Sequence, residues 1–347
     1  MSIPDTMRAL QLRDLRRLEE VRLPVPLPSP GELLIRTLAT TICTSDLGDI
    51  HANPFGAPVP RVLGHEGAGV IAALGDGVAG WSVGQRVAAH PVIPCGTCST
   101  CRRGLGHLCD DMSHLGLDRG GTFAEYFVIP AHRVRALPDG VDAAVGALLE
   151  PVAVCLEAVQ RARVAEGERV LVIGDGPFGI IICRLALRRR PSRLVFLGRH
   201  PFRLSQVPQA VRVNEREAAA PLAAVQEALG GEGADAAILA VGSATGLDTG
   251  LRSLRARGRL VVFSGITEPA PLDIFRLHVK ELEVLGACND EDYLDQALAC
   301  LSDAELGLAD LITHRVPSAH WRRAFELASH GKDEALKVAI TFDEAGP

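Results

Sequence analysis

The stretch ERVLVIGDGPFGIIICRLAL constrains the fold more than any other part of the chain. A short β-rich run leads into Gly174, Gly176 and Gly179, spaced G-x-G-x-x-G, and an apolar pattern that favours a helix follows. The first glycine permits a tight turn, the second lets a pyrophosphate approach the backbone, and the third lets helix pack on strand. This context predicts a dinucleotide-binding turn that includes Pro177 and Phe178, with the phosphates at the helix N-terminus.

Further apolar strands follow at regular intervals. The predicted strands cover residues 193–198, 235–242, 258–265 and 282–287, and helix-compatible segments cover 221–230 and 246–254. Strands and helices that alternate in this way, with near-continuous apolar strands, predict an α/β fold with a doubly wound parallel sheet. We therefore expect a Rossmann domain over residues 152–290, and a second domain because 347 residues exceed one core of usual size.

The end of the second predicted strand indicates which dinucleotide binds. In NAD-binding Rossmann folds an acidic residue at this point binds the adenosine ribose, but here the strand ends at Gly198 and Arg199 follows. The missing carboxylate leaves room for a 2′-phosphate, which Arg199 could bind, with Arg203 as a second contact. We therefore predict NADP(H) rather than NAD(H), although NAD(H) could still bind if Arg199 is only a solvated loop residue. Val241 and Gly265, at the ends of later strands, are also assigned to the cofactor site.

The segment CGTCSTCRRGLGHLC contains four of the nine cysteines. In a reducing compartment their C-x2-C-x2-C-x7-C spacing is typical of four thiolates around one tetrahedral zinc. With four sulfur ligands such a site is closed, so the predicted zinc is structural. His107 could in principle replace a sulfur, but four cysteines suffice. The predicted ligands are Cys95, Cys98, Cys101 and Cys109.

A second set of metal-binding residue types lies elsewhere in the first half of the chain. Cys43 precedes His65 and Glu66 by just over twenty residues, and a Cys, a His and a carboxylate suit a zinc that keeps one position open. Taken singly, Cys43 is more often a small buried hydrophobe and His65 a core histidine. Glu150 lies in the apolar stretch GALLEPVAV, where an unpaired buried carboxylate would be costly, so it needs a partner or a function.

Composition and charge exclude some classes of partner. The formal net charge is −6, and no basic cluster beyond the short RRR at 188–190 suggests nucleic-acid binding. The N-terminal stretch lacks the apolar segment of a signal peptide. The apolar run VLVIGDGPFGIIIC is shorter than the roughly 20 residues of a membrane span and contains Asp175 and Pro177. These features predict a cytoplasmic protein that binds neither nucleic acid nor membrane.

Several motifs together resemble the zinc-dependent medium-chain dehydrogenase/reductase family, most closely its sorbitol and polyol dehydrogenase branch. They are GHE, the four-cysteine segment, GGTFAEYFVIPAHRVRALPDGV, LLEPVAV and GDGPFG. The resemblance covers nearly the whole chain. It implies a GroES-like, β-rich catalytic domain over 1–151 and 291–347, with a structural zinc lobe at about 92–112. It also implies a homo-oligomer, a dimer or a tetramer, that acts on a small-molecule alcohol or ketone.

The resemblance also implies roles for individual residues. Cys43, His65 and Glu66 fall where that branch has its catalytic zinc ligands, and Glu150 falls where a carboxylate binds this zinc or its water. Ser45 falls where the family has a hydroxyl that passes the alcohol proton towards solvent. The implied chemistry uses two Zn²⁺ ions per chain. The reaction interconverts a secondary alcohol, of polyol, sugar or aminocyclitol type, and its ketone by hydride transfer.

The chain departs from its relatives close to these residues. Relatives often read GICGSDLH, whereas this chain has Thr41, Thr44 and, in place of the histidine, Gly48. The usual proton relay is therefore altered, and Asp49 or His51 could substitute. The alternatives are a simple secondary-alcohol dehydrogenase that uses NAD(H), a zinc-free quinone-reductase-like enzyme, which typically lacks GHE and the cysteine segment, and a non-catalytic family member.

Overall fold

In a computed structural model, which describes residues 3–331 and 334–342, the chain divides into two compact units. The first comprises residues 1–151 and 294–347, and the second comprises residues 152–293. The chain returns to the first unit at Leu294 instead of residue 291, because the helix Leu294–Leu301 begins there.

The first unit is rich in β-strands. Its elements, numbered along the whole chain, are β1 Thr6–Asp14, β2 Arg17–Pro24, β3 Glu32–Thr41, α1 Thr44–His51, β4 Arg61–Val62, β5 Glu66–Leu74, β6 Arg86–Ala89, β7 Val92–Ile93, α2 Ser99–Arg102, β8 Ser113–His114, β9 Tyr126–Pro130, β10 Val134–Ala136, α3 Ala143–Gly146, α10 Leu294–Leu301, β17 Ile312–Pro317, α11 Trp321–His330 and β18 Lys337–Thr341. The main sheet has the order β10-β6-β5-β3-β18-β17, and β9 also pairs with β3. The C-terminal segment thus supplies two strands of this sheet.

The pairing register of the sheet brings distant parts of the sequence together. Thr41, the last residue of β3, lies opposite both Glu66 in β5 and Ala339 in β18. Because β5 and β18 both pair with the end of β3, the residues that adjoin these strand ends in the sequence lie close together there. The apolar faces pack separately, for example around Leu33, Ile71 and Phe127.

The second unit is a Rossmann domain, as predicted. Its elements are β11 Arg169–Ile173, α5 Pro177–Leu187, β12 Arg193–Gly198, α6 Pro201–Leu204, β13 Val211–Asn214, α7 Pro221–Ala228, β14 Ala234–Leu239, α8 Ala244–Ser253, β15 Leu254–Val262, α9 Ile274–Val279 and β16 Glu283–Gly286, while α4 Leu149–Arg161 begins at the boundary. The six strands are all parallel in the order β13-β12-β11-β14-β15-β16. The first strand of the domain in sequence, β11, therefore lies at the centre of the sheet, next to β14. A doubly wound sheet binds its ligand at such a point, where the strand order reverses.

Within the Rossmann sheet, the structure adds one strand, β13, that the sequence pattern did not predict. β13 has only four residues, VRVN, and alternates apolar with polar side chains, so its pattern resembles a loop. The helical stretch Ala143–Arg161 is long and apolar enough to cross a membrane by length and composition alone. However, 89% of its most apolar window is buried inside the protein, as in a core helix.

Candidate active site and metal centres

The four cysteines of the CGTCSTCRRGLGHLC segment converge on one point. Their sulfurs all lie within 4.8 Å of one another. Cys95 Sγ lies 4.0 Å from Cys101 Sγ, and Cys98 Sγ lies 3.8 Å from Cys109 Sγ. Four sulfurs bound tetrahedrally to zinc at about 2.3 Å lie about 3.8 Å apart, whereas a disulfide bond measures about 2 Å. The donor type and the spacing fit a tetrathiolate zinc site.

Backbone N–H groups favour thiolates in this loop. The N–H groups of Thr97 and Cys98 donate to Cys95 Sγ at 3.4 and 3.3 Å, and they lower the pKa of Cys95 to about 6. Burial and the neighbouring sulfurs raise the pKa of Cys101 to about 12. Without a cation Cys101 therefore resists ionisation. His107 is buried in the adjacent short helix but is not in the ligand cluster.

A second cluster joins Cys43, His65 and Glu66, whose donor atoms lie within 4.8 Å of one another. Cys43 is the residue before α1, His65 precedes β5, and Glu66 is its first residue. A sulfur, an imidazole nitrogen and a carboxylate oxygen fit zinc and leave one coordination position for another ligand. In this cluster Cys43 and Glu66 are buried, whereas His65 is partly exposed.

Asp46 fixes both Cys43 and His65. Its Oδ2 accepts a hydrogen bond from the Cys43 backbone N–H at 2.8 Å, and its Oδ1 lies 3.2 Å from His65 Nδ1. Burial alone would lower the pKa of His65, but the charge of Asp46 and hydrogen bonds to Asp46 and Cys43 raise it well above its ordinary value. A carboxylate on Nδ1 fixes the ring so that Nε2 can serve as the ligand atom. The Ser45 hydroxyl, which is exposed, lies 3.5 Å from that nitrogen.

Glu66 has two partners that sequence reasoning missed. Lys337 Nζ donates to both carboxylate oxygens, at 2.7 Å to Oε2, and the Thr41 hydroxyl donates to Oε2 as well. Only 2% of the Lys337 side chain is exposed. Burial would lower the pKa of Lys337, but the charges of Glu66, Cys43 and Glu150 raise it far above its ordinary value. The sequence does contain a signal for Lys337, because it is a charged residue in the apolar stretch ALKVAI. The same feature, a charged residue in an apolar stretch, singled out Glu150.

Glu150 lies in the first turn of α4 and is buried. Its charge contributes to the raised pKa of Lys337, but its carboxylate is not among the donor atoms that lie within 4.8 Å of one another in the Cys43 cluster.

Asp49 and His51, which could replace the histidine of the family's usual proton relay, lie in different surroundings. Asp49 is buried and forms an ion pair with Arg61 at 3.3 Å, whose guanidinium also donates to three backbone carbonyls. Burial raises the pKa of Asp49, which the charge of Arg61 opposes. Asp49 therefore stabilises the loop after α1, while His51 is exposed at the end of α1.

His114 is a further residue that sequence reasoning missed. Its ring centroid lies 5.7 Å from that of His65, and its Nδ1 donates to the backbone carbonyl of Leu115 at 2.6 Å. Burial and the charge of His65 lower the pKa of His114 to about 4. No spacing in the sequence indicated this contact.

The three glycines of the predicted dinucleotide turn differ in backbone conformation and in the space around them. Gly174 has a φ of +113°, and a Cβ there would lie 2.7 Å from the carbonyl oxygen of Ala240. A Cβ at Gly179 would lie 1.8 Å from the carbonyl oxygen of Gly174, so helix and turn pack too closely for any side chain. Gly176 precedes α5 and has open space around it, as the approach of a phosphate requires.

The other assigned cofactor residues lie at the carboxyl ends of the parallel strands or at the start of α5. Pro177 is the first residue of α5, and Phe178 packs edge-on against Phe263 with centroids 5.5 Å apart. Val241 and Gly265 follow β14 and β15. Such strand ends form the ligand-binding edge of a doubly wound sheet.

The end of β12 explains the missing acidic residue. A Cβ at Gly198 would lie 2.4 Å from the Cβ of Asp175, so no side chain fits there. Asp175 Oδ2 accepts hydrogen bonds from the backbone N–H groups of Arg199 and His200, both at 2.7 Å. The Arg199 side chain is 52% exposed, and Arg203 is half-buried in α6.

Comparisons with known proteins agree with this geometry. Residues 29–139 match the alcohol dehydrogenase GroES-like domain, and residues 179–303 match the zinc-binding dehydrogenase family. The chain is 30% identical to the 2-dehydro-3-deoxy-L-galactonate 5-dehydrogenase of Pseudoalteromonas atlantica, over 90% of this chain and 92% of that one. It is 31% identical to the erythritol/L-threitol dehydrogenase of Mycolicibacterium smegmatis, over 97% and 98%.

A solved structure extends the similarity to the whole fold. An alcohol dehydrogenase of Escherichia coli CFT073, crystallised with NADH, superposes with a TM-score of 0.91 at 27% identity, covering 98% of this chain and 100% of that chain. The chain therefore belongs to the zinc-dependent medium-chain dehydrogenases of the alcohol dehydrogenase superfamily.

Proposed function

We propose that this enzyme interconverts a secondary alcohol of polyol, sugar or aminocyclitol type and its ketone, with NADP(H) as the favoured cofactor. The observation that carries the proposal is the convergence of Cys43, His65 and Glu66, from two separate segments, on one open ligand cluster. The similarity to dehydrogenases named for erythritol or threitol and for a sugar acid supports a polyhydroxylated substrate.

Each residue of the cluster has a task in this reaction. Cys43, His65 and Glu66 would hold the catalytic zinc, with Glu150 as a further ligand or as the acceptor for its water. Zinc held by these residues would supply the Lewis acidity that lowers the pKa of the alcohol hydroxyl, so that its proton could be lost near neutral pH. Ser45 takes up that proton and passes it to solvent, since its hydroxyl lies beside His65 and is exposed. A nicotinamide cofactor bound at the glycine turn would supply the acceptor for the hydride from the carbinol carbon.

The preference for NADP(H) rests on Arg199 and on the absence of a carboxylate at Gly198. Asp175 excludes a side chain at position 198 and holds the Arg199 backbone, so the guanidinium projects from a fixed point. NAD(H) is the competing cofactor, since the similar Escherichia coli enzyme was crystallised with NADH.

The test is to measure kcat/KM for a polyol substrate with NADP⁺ and with NAD⁺, for wild type, Arg199→Ala and the control Arg212→Ala. Arg212 is an exposed arginine of the neighbouring strand β13. We expect wild type to prefer NADP⁺, and Arg199→Ala to lose on the order of 10-fold or more with NADP⁺ only. A wild-type preference for NAD⁺, or NADP⁺ kinetics unchanged in Arg199→Ala, would refute the assignment.

Two further expectations belong to this proposal. We propose a reducing, cytoplasmic location, in keeping with the cysteines of the described residues, none of which forms a disulfide bond. We also propose that the protein forms a homo-oligomer, a dimer or a tetramer, by similarity to the family.

A further inference from the structure

Glu215 is an acidic residue at the adenosine end of the cofactor site that the strand pattern did not reveal. It directly follows β13, and its backbone N–H donates to the carbonyl oxygen of Gly198 at 2.8 Å. Its carboxylate Oε2 accepts a hydrogen bond from Arg199 Nε at 2.7 Å. A carboxylate therefore stands beside the arginine on which NADP(H) binding is proposed to depend.

Because of this contact, only part of the Arg199 guanidinium is available to bind a phosphate. Glu215 accepts a hydrogen bond from its Nε, and among the described residues the Arg199 side chain forms no other hydrogen bond or ion pair. The hydrogen bond and charge of Glu215 raise the pKa of Arg199 above its ordinary value. The guanidinium can thus donate to a phosphate, but part of its charge is already compensated.

We propose that Glu215 moderates the preference of this enzyme for NADP(H): it holds Arg199 and limits the affinity for the 2′-phosphate. This inference rests on the proposed role of Arg199 and adds the residue that opposes it. A phosphate that binds Arg199 must either share the guanidinium with the carboxylate or displace it, and in both cases two anions lie close together. NAD(H), which lacks that phosphate, meets no such repulsion.

The expected size of the effect is moderate because both side chains are partly exposed, at 52% for Arg199 and 28% for Glu215. Charges close to a protein surface are screened by water and by salt. Removal of the Glu215 charge should therefore raise the affinity for NADPH on the order of 10-fold at low ionic strength, and less as salt is added.

The experiment measures the dissociation constants of NADPH and NADH by the fluorescence of the bound cofactor, in the full-length protein without substrate. The variants are Glu215→Gln and the matched control Glu217→Gln. Glu217 is exposed, lies two residues further along, and accepts a hydrogen bond from Asn214 instead of Arg199. Both variants remove one negative charge from the same loop.

We expect Glu215→Gln to tighten NADPH binding about 10-fold relative to wild type, with NADH binding unchanged within about 2-fold and Glu217→Gln like wild type. An unchanged NADPH affinity, or an equal gain in Glu217→Gln, would overturn the proposal. Weaker NADH binding in Glu215→Gln would also overturn it, because Glu215 would then bind the ribose hydroxyls instead.

A double-mutant cycle separates this proposal from the proposed cofactor preference. In the Arg199→Ala background the gain from Glu215→Gln should shrink, since the arginine for which carboxylate and phosphate compete is absent. If the gain is as large there as in wild type, Glu215 does not act through Arg199. A different result would refute the proposed preference for NADP(H) itself. In that case wild type would bind NADH more tightly than NADPH, and Arg199→Ala would leave this binding unchanged.

Discussion

Glu66 and Lys337 form a buried ion pair beside the residues that we assign to the catalytic zinc. Both carboxylate oxygens of Glu66 accept hydrogen bonds from the ammonium group, and Thr41 adds another. The exposed fractions of the Lys337 and Glu66 side chains are 2% and 0%. A buried carboxylate without its counter-charge is strongly destabilising, so Lys337 both positions Glu66 and compensates its charge.

Lys337→Met should therefore destabilise the protein, by about 3–5 kcal/mol in the free energy of unfolding. Urea unfolding of the purified variant measures this loss, and zinc analysis of the same samples shows whether the metal is retained. Lys280→Met is the control, since Lys280 is exposed at the end of α9 and should change stability by less than about 0.5 kcal/mol. Wild-type stability of Lys337→Met would contradict this role of the pair.

Glu150→Gln keeps the shape of the side chain and removes its charge. We expect the variant to fold and to lose on the order of 10²-fold in kcat, because the carboxylate orients the zinc-bound water or binds the metal itself. Steady-state assays with a polyol give the loss, and the zinc content tells the two roles apart. Glu157→Gln, a buried residue in the same helix that contacts the backbone of Glu291, should stay active. Full activity of Glu150→Gln with normal zinc content would remove Glu150 from the site.

At the scale of elements, we expect the four-cysteine lobe to depend on metal because its secondary structure is short. It consists of the four-residue helix α2, a short 3-10 helix over Gly106–Leu108 and the two-residue strands β7 and β8. Such short elements bury little apolar surface, so metal binding must contribute to their folding.

Cys109→Ser should open this site and mainly reduce stability. We expect the loss of one zinc per chain and a fall in Tm of roughly 5–10 °C. Cys288→Ser, which changes an exposed thiol outside both clusters, should match wild type in both measurements. A normal Tm for Cys109→Ser would show that this zinc site is not structural.

The regular elements of the second unit were the most predictable from sequence. β12 has the predicted bounds, because its apolar run is bounded by Arg193 and Gly198. β13 was missed because four residues give too little periodicity, and Glu215 was missed with it. Motif spacing and residue types predicted the members of both ligand clusters, which the structure brings together. The partners of Glu66 depend instead on the sheet register that joins β3, β5 and β18. Register of this kind is set by long-range pairing, which local patterns do not encode.

At the scale of the whole molecule, the two kinds of chemistry belong to different units. Both metal clusters are built from residues of the first unit, and the dinucleotide turn and Glu215 belong to the second. The first unit is completed by the C-terminal strands β17 and β18, which bring Lys337 to Glu66. Activity as proposed therefore requires the N-terminal segment, the Rossmann domain and the C-terminal strands.

The central claim is that the Cys43 cluster binds a zinc ion that is required for alcohol oxidation. The most direct measurement is zinc content and polyol oxidation rate in the same preparations of wild type and Cys43→Ser. The two clusters predict two zinc ions per wild-type chain and one in the variant, with a loss of at least about 10³-fold in rate. A Cys43→Ser variant that oxidises polyols at the wild-type rate, or an active wild-type protein that holds only the four-cysteine zinc, would contradict the account.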